Sequence, residues 1–290
     1  MTHPHPSHPV ARWGTFLAAL LVVGPAIGMI AHRIPPIPGA GAGTALQSSS
    51  PGVSLAFVGV CVALATGIGV LGARVVSASH GLTCAGIALA WAVFRTSRIL
   101  DLSRAVDVDS LGMRLTIEGG VVGVLVLIGA LVIVRLAPKH GHTPLAGIVS
   151  GAGIGSGVVT TVIGLLVAMI IAQDDKAGQT FAAAIAGGAV GAAAARTLVN
   201  GAPWVAALLA IPLGALACPA VGFAMSPKPL DVAIVGGTVH ALARIMPLDW
   251  CAGALIGIPF GLTWAGSMIQ KSYPDPKAGA RVPPPVTSAS

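Results

Sequence analysis

Charged residues are scarce in this sequence. Asp, Glu, Lys and Arg make up 9% of the 290 residues, whereas a soluble domain carries about 25%. Hydrophobic residues make up 55% of the chain, and the mean hydropathy is +0.89. A surface with so few charges would aggregate in water, so most of it must face lipid. The composition therefore excludes an ordinary soluble protein and predicts an integral membrane protein.

Paired cysteines are also lacking. Each of the four cysteines falls in a separate apolar segment, and no two are spaced as a CxxC pair. This distribution matches neither a disulfide framework nor a zinc-site pattern. We expect Cys61, Cys84, Cys218 and Cys251 to be buried as small hydrophobic residues.

Aromatic residues make up only 4% of the chain and do not alternate with basic residues. The net charge of +7 comes from Lys and Arg scattered at the ends of apolar segments. Such positions suit contact with lipid headgroups, and no basic stripe for nucleic acid is present. The predicted partner is the lipid bilayer, and nucleic acid is not an expected partner.

Long apolar runs dominate what the sequence does contain. A helix needs about 20 apolar residues, with a range of about 17–25, to cross a bilayer. The runs predict an all-α polytopic bundle of eight or nine transmembrane helices in one domain, residues 13–270. Flexible tails are expected at 1–12 and 271–290. The candidate spans are 13–31, 53–75, 80–95, 115–137, 144–172, 179–198, 203–225, 232–246 and 249–270.

The segment 232–246 decides the number of spans. If it crosses the bilayer, the chain has nine spans; if it re-enters, the chain has eight. Nine spans give a larger excess of Lys and Arg on one side, and the positive-inside rule therefore favours nine. This choice puts the N-terminus outside and the C-terminus in the cytoplasm.

Glycines recur every four residues in several of these segments. Residues at this spacing share one face of a helix, and glycines there let another helix approach closely. A static packing face is favoured over a sliding interface in a transporter. The glycines predicted to pack against other helices are Gly253, Gly257, Gly261, Gly151, Gly155, Gly187 and Gly191.

Polar residues near the C-terminal end of the chain form the first candidate site. His240 and Arg244 are four residues apart, which places them on one helix face, and Asp249 follows across the turn at Pro247. One interpretation is a proton or anion site lined by His240 and Arg244. The favoured alternative is an interfacial Arg244–Asp249 ion pair beside a hydrogen-bonded histidine.

The densest charge lies at 95–120, where Arg and Asp recur every three residues. This pattern predicts an amphipathic connecting helix at 96–114 that lies in the membrane interface. Arg114 and Glu118, the single glutamate of the chain, are expected to pair as the next helix begins.

The sequence favours a structural or assembly component of a membrane, packed with further copies of itself or with other subunits. Transport of a small solute or ion through His240, Arg244 and Glu118 is the alternative. An enzyme is less favoured, because no catalytic, metal or cofactor motif is recognised, and no cofactor is predicted. Richness in Ala, Val and Gly, with more Arg than Lys, suggests a bacterial cytoplasmic membrane.

Overall fold

A computed structural model describes residues 9–138 and 145–272, and all regular structure within these ranges is helical. A π-helical turn at Ala19–Val23 joins α1 to α2, and 3-10 turns lie at Leu145–Val149, Trp204–Leu209 and Ala241–Arg244. The helices are α1 (Pro9–Ala18), α2 (Gly24–Ala31), α3 (Pro51–Val75), α4 (Ala78–Val93), α5 (Ile99–Ser103), α6 (Val108–Leu136), α7 (Gly151–Ile171), α8 (Ala177–Leu198), α9 (Ala210–Met225), α10 (Leu230–Val235) and α11 (Pro247–Ser272).

Seven stretches of the described chain are long and apolar enough to cross a membrane, and α4 is a shorter apolar helix. The prediction of a helical membrane bundle is confirmed. The first helix begins at Pro9 and the last ends at Ser272, so both reach slightly into the predicted tails. The seven stretches are Pro9–Ala31, Pro51–Val75, Ser110–Leu136, Gly151–Ile171, Ala177–Leu198, Trp204–Met225 and Pro247–Ile269.

The predicted span 232–246 does not form a continuous helix, so the nine-span interpretation is wrong. Instead α10 ends at Val235, and a 3-10 turn follows at Ala241–Arg244. Gly237 has a φ of 65°, a left-handed conformation that glycine adopts readily and that ends a right-handed helix. The segment is a folded connection between α9 and α11.

The predicted amphipathic helix at 96–114 is also wrong in extent. Only Ile99–Ser103 forms a short helix, and a turn separates it from α6. The Asp107 side chain accepts a hydrogen bond from the Ser110 backbone N–H at 3.3 Å and so caps a new helix there. Residues 108–114 are therefore the first two turns of α6, and Asp107 is its N-cap.

The core brings α7, α8, α9 and α11 together around Trp250. This side chain is fully buried, and its Nε1–H donates to the Ala210 carbonyl at 2.8 Å. Gly214 of α9 lies directly under the indole ring, where a Cβ atom would overlap it. The polar edge of a buried tryptophan is thereby paired inside the bundle.

The glycine repeat in α11 lies against the backbone of α8. A Cβ atom at Gly253, Gly257 or Gly261 would overlap Ala184, Ile185 or Ala189. With no Cβ in the way, the two helices reach backbone contact and gain dispersion energy along their length. In the same way, Gly187 and Gly191 of α8 lie against Gly164 and Thr160 of α7.

Gly151 and Gly155 do not pack as predicted. A Cβ atom at Gly151 would meet no atom within 4 Å, and at Gly155 it would only touch Val199 at 4.0 Å. The other face of this helix turns inward instead, where Gly153 lies against the Ile148 carbonyl and Gly157 against Leu209. Two four-residue repeats overlap in α7, and their spacing alone does not tell which one faces a partner.

Gly257→Leu is expected to lower the stability of the fold. Over-packing costs about 1–3 kcal/mol, and more where a backbone must move. Gly266→Leu in the same helix is the matched control, because nothing lies within 4 Å of a Cβ atom there. Thermal unfolding in detergent measures both variants, and equal melting temperatures would contradict the packing of α11 on α8.

Candidate functional site

Most of the described buried or bonded polar groups gather at one end of the bundle, where four connecting segments meet. The segment 94–98 reaches the loop before α3 through the Ser97 hydroxyl, which donates to the Ala42 carbonyl at 2.5 Å. The segment 226–246 reaches the loop between α7 and α8 through Arg244, which donates to the Gln173 carbonyl. These connections bring residues that are far apart in the sequence into one polar region.

Asp249 lies at the centre of this region. It is fully buried in the first turn of α11, where the positive end of the helix dipole favours a carboxylate. Arg98 Nη1 donates to both carboxylate oxygens, at 3.0 Å and 2.7 Å. The Thr180 hydroxyl donates to Oδ2 at 2.6 Å, and Arg98 Nη2 donates to the same hydroxyl at 2.9 Å. Arg98, Thr180 and Asp249 form a closed triad, which we call the buried ion-pair cluster.

The cluster has one unsatisfied group and one further acidic neighbour. Arg98 Nε is buried and has no hydrogen-bond partner among the described residues. Asp175 lies near Arg98: burial and the adjacent Asp174 raise the pKa of Asp175, and the Arg98 charge opposes this shift. The guanidinium is thus held mainly by Asp249 and Thr180.

The expected Arg244–Asp249 ion pair is wrong. Arg244 ends a 3-10 turn, and its guanidinium donates to three backbone carbonyls, those of Gln173, Gly237 and Val239. Asp249 pairs with Arg98, which is 151 residues away in sequence. Because 232–246 is not a helix, Arg244 is directed toward the loops and does not reach α11.

His240 caps the 3-10 turn with its side chain. Its ring Nδ1 accepts a hydrogen bond from the Leu242 backbone N–H at 3.3 Å, and the His240 backbone N–H donates to the Ser226 hydroxyl at 3.0 Å. Burial lowers the pKa of His240, and the positive charge of Arg244 lowers it further. Both effects favour the neutral imidazole, the form whose Nδ1 can accept this bond.

Glu118 is the second buried carboxylate, and its expected pairing with Arg114 is also wrong. Arg114 is exposed, whereas Glu118 is 3% exposed. Glu118 Oε2 accepts hydrogen bonds from the Thr44 hydroxyl at 2.5 Å and from the Leu46 N–H at 2.9 Å. The two residues lie one turn apart along α6, and the loop before α3 covers Glu118, where Thr44 and Leu46 donate to it, but leaves Arg114 exposed.

A small cavity adjoins Glu118. Its volume is about 10 Å³, which is space for about one water molecule. Apart from Glu118, two threonine side chains supply its polar side-chain groups, and the rest of the lining is apolar. The lining residues are Thr44, Ala45, Val58, Thr96, Glu118, Val122, Met246, Pro247 and Leu248.

No group of three His, Cys, Asp or Glu side chains that could hold a metal ion is present in residues 9–138 and 145–272. Asp174 and Asp175 are adjacent carboxylates in the loop between α7 and α8, but Asp174 is paired with Lys176, whose Nζ is 2.6 Å from Asp174 Oδ2. The histidine-rich tracts 3–8 and 140–142 lie outside the described residues.

Three partners in this region were not expected from the sequence: Arg98, Thr180 and Thr44. Arg98 belongs to the stretch in which Arg and Asp recur every three residues, a spacing typical of pairs along one helix. Thr44 lies in a Gly-rich loop, yet it is 2% exposed. No local signal relates these residues to carboxylates 74 and 151 residues away.

Comparisons with protein-family models, curated proteins and solved structures give no match for this chain. The interpretation of the site therefore depends on its geometry.

We expect strong coupling between Arg98 and Asp249. Arg98→Gln or Asp249→Asn alone leaves the other charge buried and unpaired, at a cost of about 3–5 kcal/mol, whereas the double variant should recover part of that loss. Arg244→Gln combined with Asp249→Asn is the control, and its losses should be additive. Unfolding in denaturant and detergent measures the three single variants, Arg98→Gln, Asp249→Asn and Arg244→Gln, and the two double variants. Additive losses of stability for Arg98 and Asp249 would contradict the ion pair.

Proposed function

We propose that this protein is a structural or assembly component of a membrane. Its single domain, residues 13–270, is proposed to associate with a second copy through the lipid-facing side of α3. A bacterial cytoplasmic membrane is proposed on the composition alone. The observation that carries the proposal is a four-residue small-residue repeat in α3 that none of the described helices covers.

This uncovered repeat consists of Gly59, Ala63 and Gly67. A Cβ atom at Gly59 or Gly67 would meet nothing within 4 Å, and Ala63 is exposed. The repeat in α11 provides a comparison within the same molecule, since there the glycines lie in backbone contact with α8. The same spacing on an open face supports close approach by a helix from outside the chain.

A second copy of the chain is the occupant that we propose. In a twofold dimer the same surface lies on both sides of the interface, so two α3 helices would cross with glycine against glycine. The exposed Val60, Leu64 and Leu71 flank the repeat and would pack around the crossing point. The α3 surface therefore supplies both parts of such an interface, a small-residue centre and an apolar rim.

Gly67→Leu is expected to convert a dimer to a monomer without loss of stability, because the leucine would separate the two α3 helices, and no described residue lies within 4 Å of a Cβ atom at this position. Gly14→Leu in α1 is the matched control, since that glycine is also exposed with nothing within 4 Å of a Cβ atom. Energy transfer between labelled copies in liposomes measures the association. A monomeric wild type, or a Gly67→Leu variant that still associates, would contradict the proposal.

Transport of a small ion is the second candidate function, and the isolated carboxylate of Glu118 favours it. Ionisable residues inside membrane helices commonly mark ion pathways. His240 and Arg244, the first candidates for such a pathway, are both engaged with the backbone of the connecting segments. A pH-dependent flux into proteoliposomes that Glu118→Gln abolishes would support transport and contradict a purely structural role.

A further inference from the structure

The two buried carboxylates of the bundle have different surroundings. Asp249 accepts hydrogen bonds from the Arg98 guanidinium, the Thr180 hydroxyl and the Met246 backbone N–H. The donors to Glu118 among the described residues are all neutral, and the Thr44 hydroxyl and the Leu46 N–H form its two hydrogen bonds. It lies ten residues into α6, about 15 Å from the helix start. A carboxylate at such a depth needs a partner for its charge, or a proton that removes it.

The charged groups nearby do not supply that partner. Asp249, at the start of α11, is paired with Arg98, and the side chain of Arg114, one turn before Glu118 on α6, is exposed and forms no ion pair with it. Glu118 is the one titratable residue among those that line the cavity. The other described titratable side chains on the long helices packed against α6 are Cys61 and Arg74 of α3, His80 and Cys84 of α4, Cys218 of α9 and Cys251 of α11.

The two oxygens of Glu118 are not equivalent. Both hydrogen bonds from the described residues go to Oε2, and both have their hydrogen directed at that atom. The backbone N–H groups of Ala45 and Gln47 also lie close to the carboxyl group. Oε1 accepts no hydrogen bond of comparable geometry from the part of the chain that the structure describes. A proton can therefore be carried on Oε1 without disturbing either bond, whereas a proton on Oε2 would displace the Leu46 N–H and require the Thr44 hydroxyl to turn and accept.

The adjacent cavity suits a water molecule better than a metal ion. It has space for about one water, and most of its lining is apolar: Ala45, Val58, Val122, Met246, Pro247 and Leu248. Hard cations such as Ca²⁺ and Mg²⁺ take about six or more oxygen ligands. One carboxylate oxygen and two threonine hydroxyls fall short of that number, whereas one water beside Oε1 is enough to exchange a proton.

We propose that Glu118 is a reversible proton-binding site, with Oε1 as the protonated atom and the cavity as the place of the exchanging water. The carboxylate takes one proton from that water's hydronium form to give a neutral carboxylic acid, and the reverse step returns it. Thr44 and Leu46 hold Oε2 in both states. The site requires neither dimer formation nor net transport.

A single-site titration tests this proposal directly, because Glu118 is the only glutamate in the chain. Protein labelled with ¹³C at the glutamate side-chain carboxyl gives one resonance in liposomes. Its chemical shift is expected to move reversibly between two end values from about pH 4 to about pH 10, the range in which buried carboxyl groups titrate. A shift that stays constant while the protein remains folded would overturn the proposal.

Variants of Thr44 separate proton binding at this site from a titration that any carboxylate would show. Thr44→Val removes the hydroxyl donor to the charged form and is expected to move the midpoint upward by about one pH unit. Thr44→Ser keeps the donor and should restore the wild-type midpoint. If Thr44→Val leaves the midpoint unchanged, the proposed geometry is wrong, and melting temperatures verify that each variant is folded.

Sodium ions distinguish a proton site from a site for a monovalent cation. At a fixed pH, adding NaCl in place of KCl is expected to leave the Glu118 resonance unmoved. A sodium-dependent shift would overturn the assignment of the site to protons. If α3 does not dimerise, or if no flux is detected, the Glu118 titration is still expected. The proton-site proposal and the proposed function can therefore fail independently.

Discussion

The buried ion pair between Arg98 and Asp249 is the constraint on which the polar end of this bundle depends. A charge placed in the interior of a membrane protein must be paired, because lipid offers no hydrogen bonds. Arg98 meets this demand by reaching the first turn of α11 and the first turn of α8 at once. One side chain thus ties the segment after α4 to two helices that begin far along the chain. The loops at this end then close over the contact.

The packing of the rest of the interior depends on the close approach of helices. This packing and the buried ion pair stabilise each other. Glycines of α11 and α8 bring backbones into contact, and this contact holds Thr180 and Asp249 within hydrogen-bonding distance of each other. Glu118 shows the opposite solution, a buried carboxylate held by a loop and without a cation beside it. The same bundle therefore contains one buried carboxylate that is paired with a cation and another that is bonded to neutral donors.

Helical class was predictable from the sequence because long apolar runs have one stable form in lipid, and the ends of most helices follow from local residues. The prediction that 232–246 spans the membrane was wrong because hydropathy does not measure the tendency of Gly236 and Gly237 to end a helix. The partner of Asp249 was misjudged because the nearest arginine in sequence, Arg244, was preferred to one 151 residues away. Contacts between residues so far apart in sequence are determined by the fold, and the local spacing of charged residues does not predict them.

Replacement of Arg98 by lysine tests the central constraint most directly. Lysine keeps the positive charge but lacks the planar fork that reaches Asp249 and Thr180 together. Arg98→Lys should therefore lower the free energy of unfolding by about 1.5–3 kcal/mol, the value of a lost hydrogen bond to a charged group. Arg95→Lys, on an exposed neighbour, should leave it unchanged. If Arg98→Lys is as stable as the wild type, the bridging role of Arg98 is contradicted.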